Sequence, residues 1–535
     1  MLHRFRSVLF ALLVVSVAAA WLGAAERRPI TEKDLFKFVW VADPQIAPDG
    51  SQVAFVRVVI DEKKDGYETS IWMVKADGSE PARAITSGTR DTGPRWSPDG
   101  RRLAFIRAVE KDGRPQPPQI FVMAMSGGEP WAITDVPRGA GSPDWAPDGR
   151  AIAFSSTSRH DDVKPAADRP RETDVRVITE AVYRANGVAG SGFVDRDRPA
   201  HIWTIAVPAS ASEKTTPKAL TSGEFSETNF RWSPDGSRIF FVSDRRRESY
   251  YSARDSDLYA VSKDGGEPAS VASIDGSIGA YAVTGDGKRL AFVGSPAGSP
   301  ERSYSQADLW VMDMGGTPRN LTGSFDFDIN GGLGGDQRAP RGGSPSGPIW
   351  SKDGRSIVIV AGEQGNANIK RIDVATGRVD VVTKGNNDVM AYTADASAQR
   401  IALVLSSATA VGDLHLISTD PSISSPSRKL TNFNDELFGQ LTLTEPEEIW
   451  YTSFDGRKIQ GWIQKPPSFD PARKYPLILE IHGGPHSAYG NTFTHEFQWM
   501  AAKGYVVLYT NPRGSSNYGQ EFGNIIQFHY PGDDY

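Results

Sequence analysis

The 535-residue chain contains no cysteine, which removes disulfides, thiol nucleophiles and Cys-ligated zinc in one step. It also lacks a basic block: 59 Lys and Arg stand against 65 Asp and Glu, a formal charge of −6. A nucleic-acid binder needs a cationic face to neutralise phosphate, so that class of partner is excluded. Beyond the amino-terminal stretch, nothing is apolar for the roughly 20 residues that a bilayer span requires. The spacing Gly-x-Ser-x-Gly is missing as well. Gly190-Ser191-Gly192, Gly343-Ser344-Pro345-Ser346-Gly347 and Gly514-Ser515-Ser516 all break it.

What is present begins with a leader. His3, Arg4 and Arg6 precede a largely apolar run from Val8 to Ala20, and small residues follow at Gly23, Ala24 and Ala25. That order of charge, apolar run and small residues predicts a secretory signal over residues 1–25 and a periplasmic or secreted mature protein. Hydrophobic content of 39% with 10% aromatics suits globular folding, and the length exceeds one ordinary core, so two domains are expected.

The strongest internal signal is a repeat. Trp96-Ser97-Pro98-Asp99-Gly100 followed by Leu103-Ala104-Phe105 recurs from Trp145, Trp232 and Trp350. Weaker copies start at Ala47 and Gly285, and the faintest lies at Ser397-Ala398, making seven. Pro presets φ, Asp bonds its own backbone and Gly accepts positive φ, so Pro-Asp-Gly is a tight turn leading into a buried strand. Further strands at Ile71-Trp72, Ile120-Phe121, Ile202-Trp203, Leu258-Tyr259, Leu309-Trp310 and Leu414-His415 follow. A Leu/Ile-Thr step closes several units, as at Ile85-Thr86, Ile133-Thr134, Leu220-Thr221, Leu321-Thr322 and Leu430-Thr431. One such sheet cannot bury both faces, but a ring of seven can, which predicts a seven-bladed β-propeller over residues 31–440. In this reading the Trp and Asp residues build blades. Two inserts, one between Phe154 and Trp232 and a Gly/Pro-rich one over Gly331 to Pro348, read as surface loops.

After Thr431 the pattern changes. Strands at Ile449–Phe454 and Lys458–Ile463 flank an Asp455-Gly456 turn. An apolar strand, Leu477–Ile481, then runs into His482-Gly483-Gly484-Pro485. A helix over Thr494–Lys503, a strand over Tyr505–Tyr509 and Asn511-Pro512-Arg513-Gly514-Ser515 follow. Strand, His-Gly-Gly loop, helix, strand is the opening of an α/β-hydrolase, in which that loop gives a backbone N–H to an oxyanion hole. Glycine is needed there because a side chain would obstruct the close approach of substrate oxygen to a backbone donor. The predicted fold is therefore an all-β seven-bladed propeller followed by an incomplete α/β-hydrolase domain over residues 445–535.

In this order the TolB-like propeller repeats, Asp455-Gly456, His482-Gly483-Gly484-Pro485 and Asn511-Pro512-Arg513-Gly514-Ser515 resemble the prolyl oligopeptidase family of serine peptidases. His482, where other members carry Tyr, and the segment Arg176–Gly187 are more similar to its acylaminoacyl-peptidase branch. The resemblance implies peptide substrates, no cofactor, and a Ser-His-Asp triad whose members do not occur in these residues. It places the oxyanion loop at His482, Gly483, Gly484 and Pro485. The 535 residues alone are expected to be inactive, and an unpaired strand edge in the hydrolase sheet is expected to make the isolated chain aggregate. The rival readings are a non-catalytic TolB-like propeller that binds a partner, and an esterase on the same hydrolase scaffold.

Other candidate groups read as structural. His482 and His486 are four apart, but Gly-Gly-Pro between them forbids the helix that would align them as metal ligands. His495-Glu496 lacks a second His. Asp326–Gly331 matches the first half of a calcium loop, but Gln337 stands where a bidentate Glu belongs, so it reads as a surface loop. Asp533-Asp534 reads as a solvated loop.

Overall fold

The computed structural model describes residues 27–63, 66–163, 175, 177–178, 182–184, 193–343, 346–420 and 427–532. The leader, most of the first insert and Asp533-Asp534 lie outside the described residues. Five four-stranded antiparallel sheets follow one another over residues 40–84, 91–132, 141–219, 228–272 and 276–320. Residues 349–381 and 388–429 form two more, joined into one sheet by the parallel pair Ala367 and Asp388. These are the seven blades.

Each repeat folds as its residues dictate. The turn glycines Gly50, Gly100, Gly149, Gly236, Gly287 and Gly354 have φ between 64° and 72°, where a Cβ would be strained. Asp99 accepts from Ser97 Oγ at 2.6 Å and from Arg101 N at 3.0 Å, fixing the turn, and Asp235 and Asp353 do the same. The recurring tryptophan then fastens each blade to the one before it. The indole N–H of Trp96 donates to Gln45 O at 2.9 Å, Trp145 to Arg95 O at 3.0 Å, Trp232 to Asp144 O at 3.2 Å and Trp350 to Ala282 O at 3.1 Å. In the fifth and seventh blades tyrosines take over: Tyr281 donates to Phe240 O and Tyr392 to Gly347 O. The Leu/Ile-Thr steps have an equally local cause. Thr86, Thr134, Thr221, Thr322 and Thr431 each accept the N–H of the third strand, at Ile71, Ile120, Ile202, Leu309 and Leu414.

The ring closes without exchanging a strand, because residues 40–84 make all of the first blade and 388–429 all of the last. Ile46 N donates to Thr393 Oγ1 at 3.1 Å, and Asn434 bonds both backbone groups of Val39. Arg28–Pro29 pairs in parallel with Leu441–Thr442. Phenylalanines 105, 154, 240, 241 and 292 are fully buried between blades. Each such side chain contributes about 1.5–3 kcal/mol by leaving water.

The second unit is a four-stranded sheet. We number its strands β1 (Glu447–Thr452), β2 (Lys458–Gln464), β3 (Leu477–Ile481) and β4 (Val506–Asn511), with helices α1 (His495–Ala502) and α2 (Gln520–Asn524). The order is β1-β2-β4-β3, with β3 and β4 parallel. Trp462, Phe497, Val507 and Tyr509 form the core beneath α1. Leu477, Leu479 and Ile481 of edge strand β3 face outward and are exposed.

Two loop expectations are corrected. Asp328 and Ile329 are buried, because they add a short strand beside Ser356–Glu363 and receive the second domain. Within the Gly331–Pro348 insert, residues 332–336 strap the two domains together. Gly334 N donates to Ala488 O, Asp336 caps α1 by accepting from His495 N at 2.8 Å and Glu496 N at 2.9 Å, and Arg338 pairs with Asp388. A carboxylate at a helix amino terminus satisfies orphan N–H groups and the helix dipole together.

Candidate active site

The parallel strands β3 and β4 run in register from Leu477 opposite Val506 to Ile481 opposite Thr510, so their carboxyl ends release two loops side by side. That edge is where open α/β sheets bind ligands. The loop from β3 carries His482, Gly483, Gly484 and Pro485; the loop from β4 carries Pro512 to Gly519. They are stitched together. Ser515 Oγ donates to Pro512 O at 2.6 Å, and His482 Nε2 lies 3.0 Å from the same hydroxyl oxygen. His486 Nδ1 donates to Gly514 O at 2.8 Å, Ser516 N donates to Ser487 O, and Asn511 bonds both backbone groups of Tyr489.

Between the two histidines, Gly483 and Gly484 are exposed, and neither amide donates to any acceptor among the described residues. Gly484 has φ of 138°, and a Cβ there would come within 2.8 Å of His486 N, whereas a Cβ on Gly483 would meet nothing within 4 Å. Two solvent-facing N–H groups on a braced loop can stabilise a developing oxyanion, in the way backbone donors do in acyl transfer. Burial lowers the pKa of His482, which favours the neutral ring.

Ser515 and His482 invite comparison with a catalytic pair, but the geometry refuses it. Ser515 is fully buried, its hydroxyl is committed to Pro512 O, and His482 Nδ1 meets Gly483 O at 3.0 Å in place of a carboxylate. Ser346 lies in the ring, with its hydroxyl on Tyr392 O.

In the sequence Arg513 is one residue of the Asn511–Ser515 run. It is 4% exposed, its guanidinium stacks on Phe454 at 4.2 Å, and it donates to Ser453 Oγ at 2.8 Å and to both oxygens of Asp455. The hydrogen bond from Arg513 holds the Asp455 carboxyl well below the usual carboxylate range. Asp455-Gly456 is thus the anchor for the loop after β4. On the propeller side, the Tyr304 ring lies 5.2 Å from that of His486 at a tilt of 39°, and Asn517 Nδ2 donates to Gly332 O at 3.0 Å, so the site faces the ring. Single-residue patterns did not mark Tyr304 or Asn517, since partners roughly 200 residues apart in sequence carry no local signal.

The inner strands of the blades line a cavity of about 460 Å³ that includes Gln45, Arg95, Asp144, Arg231, Tyr281 and Tyr392. Arg95 pairs with Asp43 at 2.8 Å, and burial raises the pKa of Asp144 although Arg231 stands 3.8 Å away. Among the described residues no helix is long and apolar enough to cross a membrane.

Comparison with known proteins decides the relationship. Residues 22–190 match the TolB beta propeller domain, and residues 491–535 match the prolyl oligopeptidase family. The uncharacterized peptidase YuxL of Bacillus subtilis is 34% identical over 521 residues, spanning 95% of this chain and 74% of that protein. The chain belongs to the prolyl oligopeptidase family. As a family member it is a hydrolase of the serine-peptidase class. Dipeptidyl-peptidase 5 of Porphyromonas gingivalis is 24% identical over 556 residues, covering 97% of this chain and 74% of the relative. The fold is shared with the acylaminoacyl peptidase of Pyrococcus horikoshii, at a TM-score of 0.71 and 23% identity over 95% of this chain and 70% of that one.

Proposed function

We propose that these residues are the propeller and the oxyanion-bearing half of an exported serine peptidase that cleaves short peptides, with a preference for acylated amino termini. The observation that carries it is the pair of unengaged amides at Gly483 and Gly484. They stand at the carboxyl ends of parallel strands and face a ring that limits access to short or unfolded chains. His482 before the glycine pair supports the acylaminoacyl-type branch, and the charged-apolar-small leader supports export to the periplasm or beyond. The 535 residues hold no Gly-x-Ser-x-Gly elbow, and losing a triad as a unit costs on the order of 10⁶ in turnover, so we infer that they alone do not hydrolyse peptides.

The test compares an N-acetylated dipeptide anilide with the same dipeptide anilide bearing a free amino terminus, the kind of substrate suggested by the name of the dipeptidyl-peptidase relative. Protein in which a Ser elbow, Asp and His follow these residues is expected to release anilide faster from the acetylated form. The 535 residues alone are expected to release none. Turnover by the 535 residues, or a clear preference for the free terminus, would refute the corresponding half of the proposal.

A further inference from the structure

We propose that Tyr304 and Asp328, both on the propeller, are positioning residues for the Gly483 and Gly484 amides. This rests on the oxyanion reading of the glycine pair.

Neither glycine amide has a hydrogen bond among the described residues to fix its direction, so the orientation of both is set by the flanking histidines, with His482 Nδ1 lying 3.0 Å from Gly483 O. Both histidines are traced back to the other domain. His486 packs its ring on Tyr304 and donates to Gly514 O. His482 Nε2 lies 3.0 Å from Ser515 Oγ, two residues before Asn517, and the propeller holds Asn517. Asn517 is 1% exposed, with left-handed φ of 70°. Its N–H donates to Asp328 Oδ2 at 2.6 Å, its Nδ2 to Gly332 O at 3.0 Å, and its carbonyl accepts from Gln364 N at 3.1 Å. A Cβ on Gly362 would come 2.1 Å from Asn517 Oδ1, so the blade leaves that gap for the asparagine alone.

Asp328 and Tyr304 are one unit. The Tyr304 hydroxyl donates to the same Asp328 Oδ2 that receives Asn517 N–H, and both residues are buried. Asp328 has no ion-pair partner among the described residues, and burial raises its pKa. A buried carboxylate without a cation is retained when hydrogen bonds carry its charge, and two of the donors here are the Tyr304 hydroxyl and a backbone amide of the other domain. Tyr304 also ties the domains through its backbone, donating to Asn524 Oδ1 and accepting from Gln520 Nε2. Tyr304 and Asp328 thus hold Asn517 and His486 together, and with them both ends of the glycine loop.

The test follows the two amides directly. Protein in which a Ser elbow, Asp and His follow these residues, deuterated and labelled with ¹⁵N-glycine, is titrated with N-acetyl-phenylalanine, whose carboxylate mimics a peptide product. Signals of Gly483 and Gly484 are assigned by single Gly→Ala changes. Both are expected to shift in the unaltered protein. Tyr304→Phe and Asp328→Asn are expected to weaken carboxylate binding about tenfold or more, the size of a lost hydrogen bond to a charged group. Gly100 and Gly149, in distant blades, should keep their signals, and the thermal midpoint should stay within a few degrees. A merely structural role would lower the midpoint and leave the binding constant alone. Equal binding by the unaltered protein and Tyr304→Phe overturns the positioning role and leaves the oxyanion reading standing. Absence of any shift at the two glycines in the unaltered protein removes the oxyanion reading, and the positioning role with it. Tyr304→Phe keeps the ring and removes one hydroxyl, so it decides the case if Asp328→Asn does not fold.

Discussion

Arg513 and Asp455 are joined edge to edge, with Nε 2.9 Å from one carboxylate oxygen and Nη2 2.6 Å from the other. The pair ties the β1–β2 turn to the loop after β4, and that loop carries Ser515 and Asn517. Lysine offers one point charge where arginine offers a planar fork that also stacks on Phe454. Arg513→Lys is therefore expected to lower the thermal midpoint by several degrees and to speed amide exchange across 511–519, with the blades unchanged. The Asp455 carboxyl is held below its ordinary range by Arg513. Its contribution is present at neutral pH and is lost only as pH falls through that lowered value. Exchange at 511–519 measured down an acid series should accelerate late, below the usual carboxylate range.

The interblade indole bonds make a second prediction. Trp145 is nearly buried, donates to Arg95 O and carries the Arg102 guanidinium over its ring at 5.1 Å. Trp145→Phe keeps most of the volume but strands a carbonyl, which costs about 1–3 kcal/mol. Trp145→Ala adds a cavity and should cost about 3–5 kcal/mol. Urea unfolding of the two variants, read by the shift in midpoint, checks both the direction and the order.

The ring was legible because its signals are local. Trp-Ser-Pro-Asp-Gly encodes a turn, a strand and the next interblade bond within ten residues, and Thr322 or Thr431 caps a strand close by in sequence. The sixth blade shows the limit. Its third strand, Asn366–Asp373, reads as polar because Asn368 and Lys370 sit in it, although Thr383 accepts Ile369 N as its counterparts do in other blades. The glycine loop was legible from His482 to Pro485, since strand, glycine pair and proline lie in one run. What holds that loop was not. Tyr304, Asp328 and Asp336 act on partners about 160 to 220 residues away, and long-range polar pairing leaves no periodicity to read.

His415 provides a pH test. It lies on the third strand of the last blade with Nδ1 buried and unpartnered, and burial, followed by the Lys429 charge, lowers its pKa to about 4. The unfolded chain binds a proton near the ordinary histidine value of about 6.5, while the folded chain does not. Stability should therefore fall as pH drops from about 6.5 to about 4, by on the order of 1–3 kcal/mol, and level off below that. His415→Leu should flatten this part of the curve, as measured by urea midpoints across the pH range.

The two glycines of the oxyanion loop should separate by substitution. Gly483 lacks positive φ and a Cβ there meets nothing, so Gly483→Ala is expected to fold with an unchanged thermal midpoint while its methyl group fills the approach to the amides. Gly484→Ala must fight φ of 138° and a contact of 2.8 Å with His486 N, so it is expected to shift the His482–His486 segment as well. In protein that carries the full triad, losing one donor should lower kcat/KM by about 10²–10³. In the same protein, both variants should bind N-acetyl-phenylalanine more weakly, but only Gly484→Ala should disturb the His486–Gly514 bond. If Gly483→Ala binds N-acetyl-phenylalanine as tightly as the unaltered protein, an open approach at that amide is not what the site requires, and the donor must be sought at Gly484.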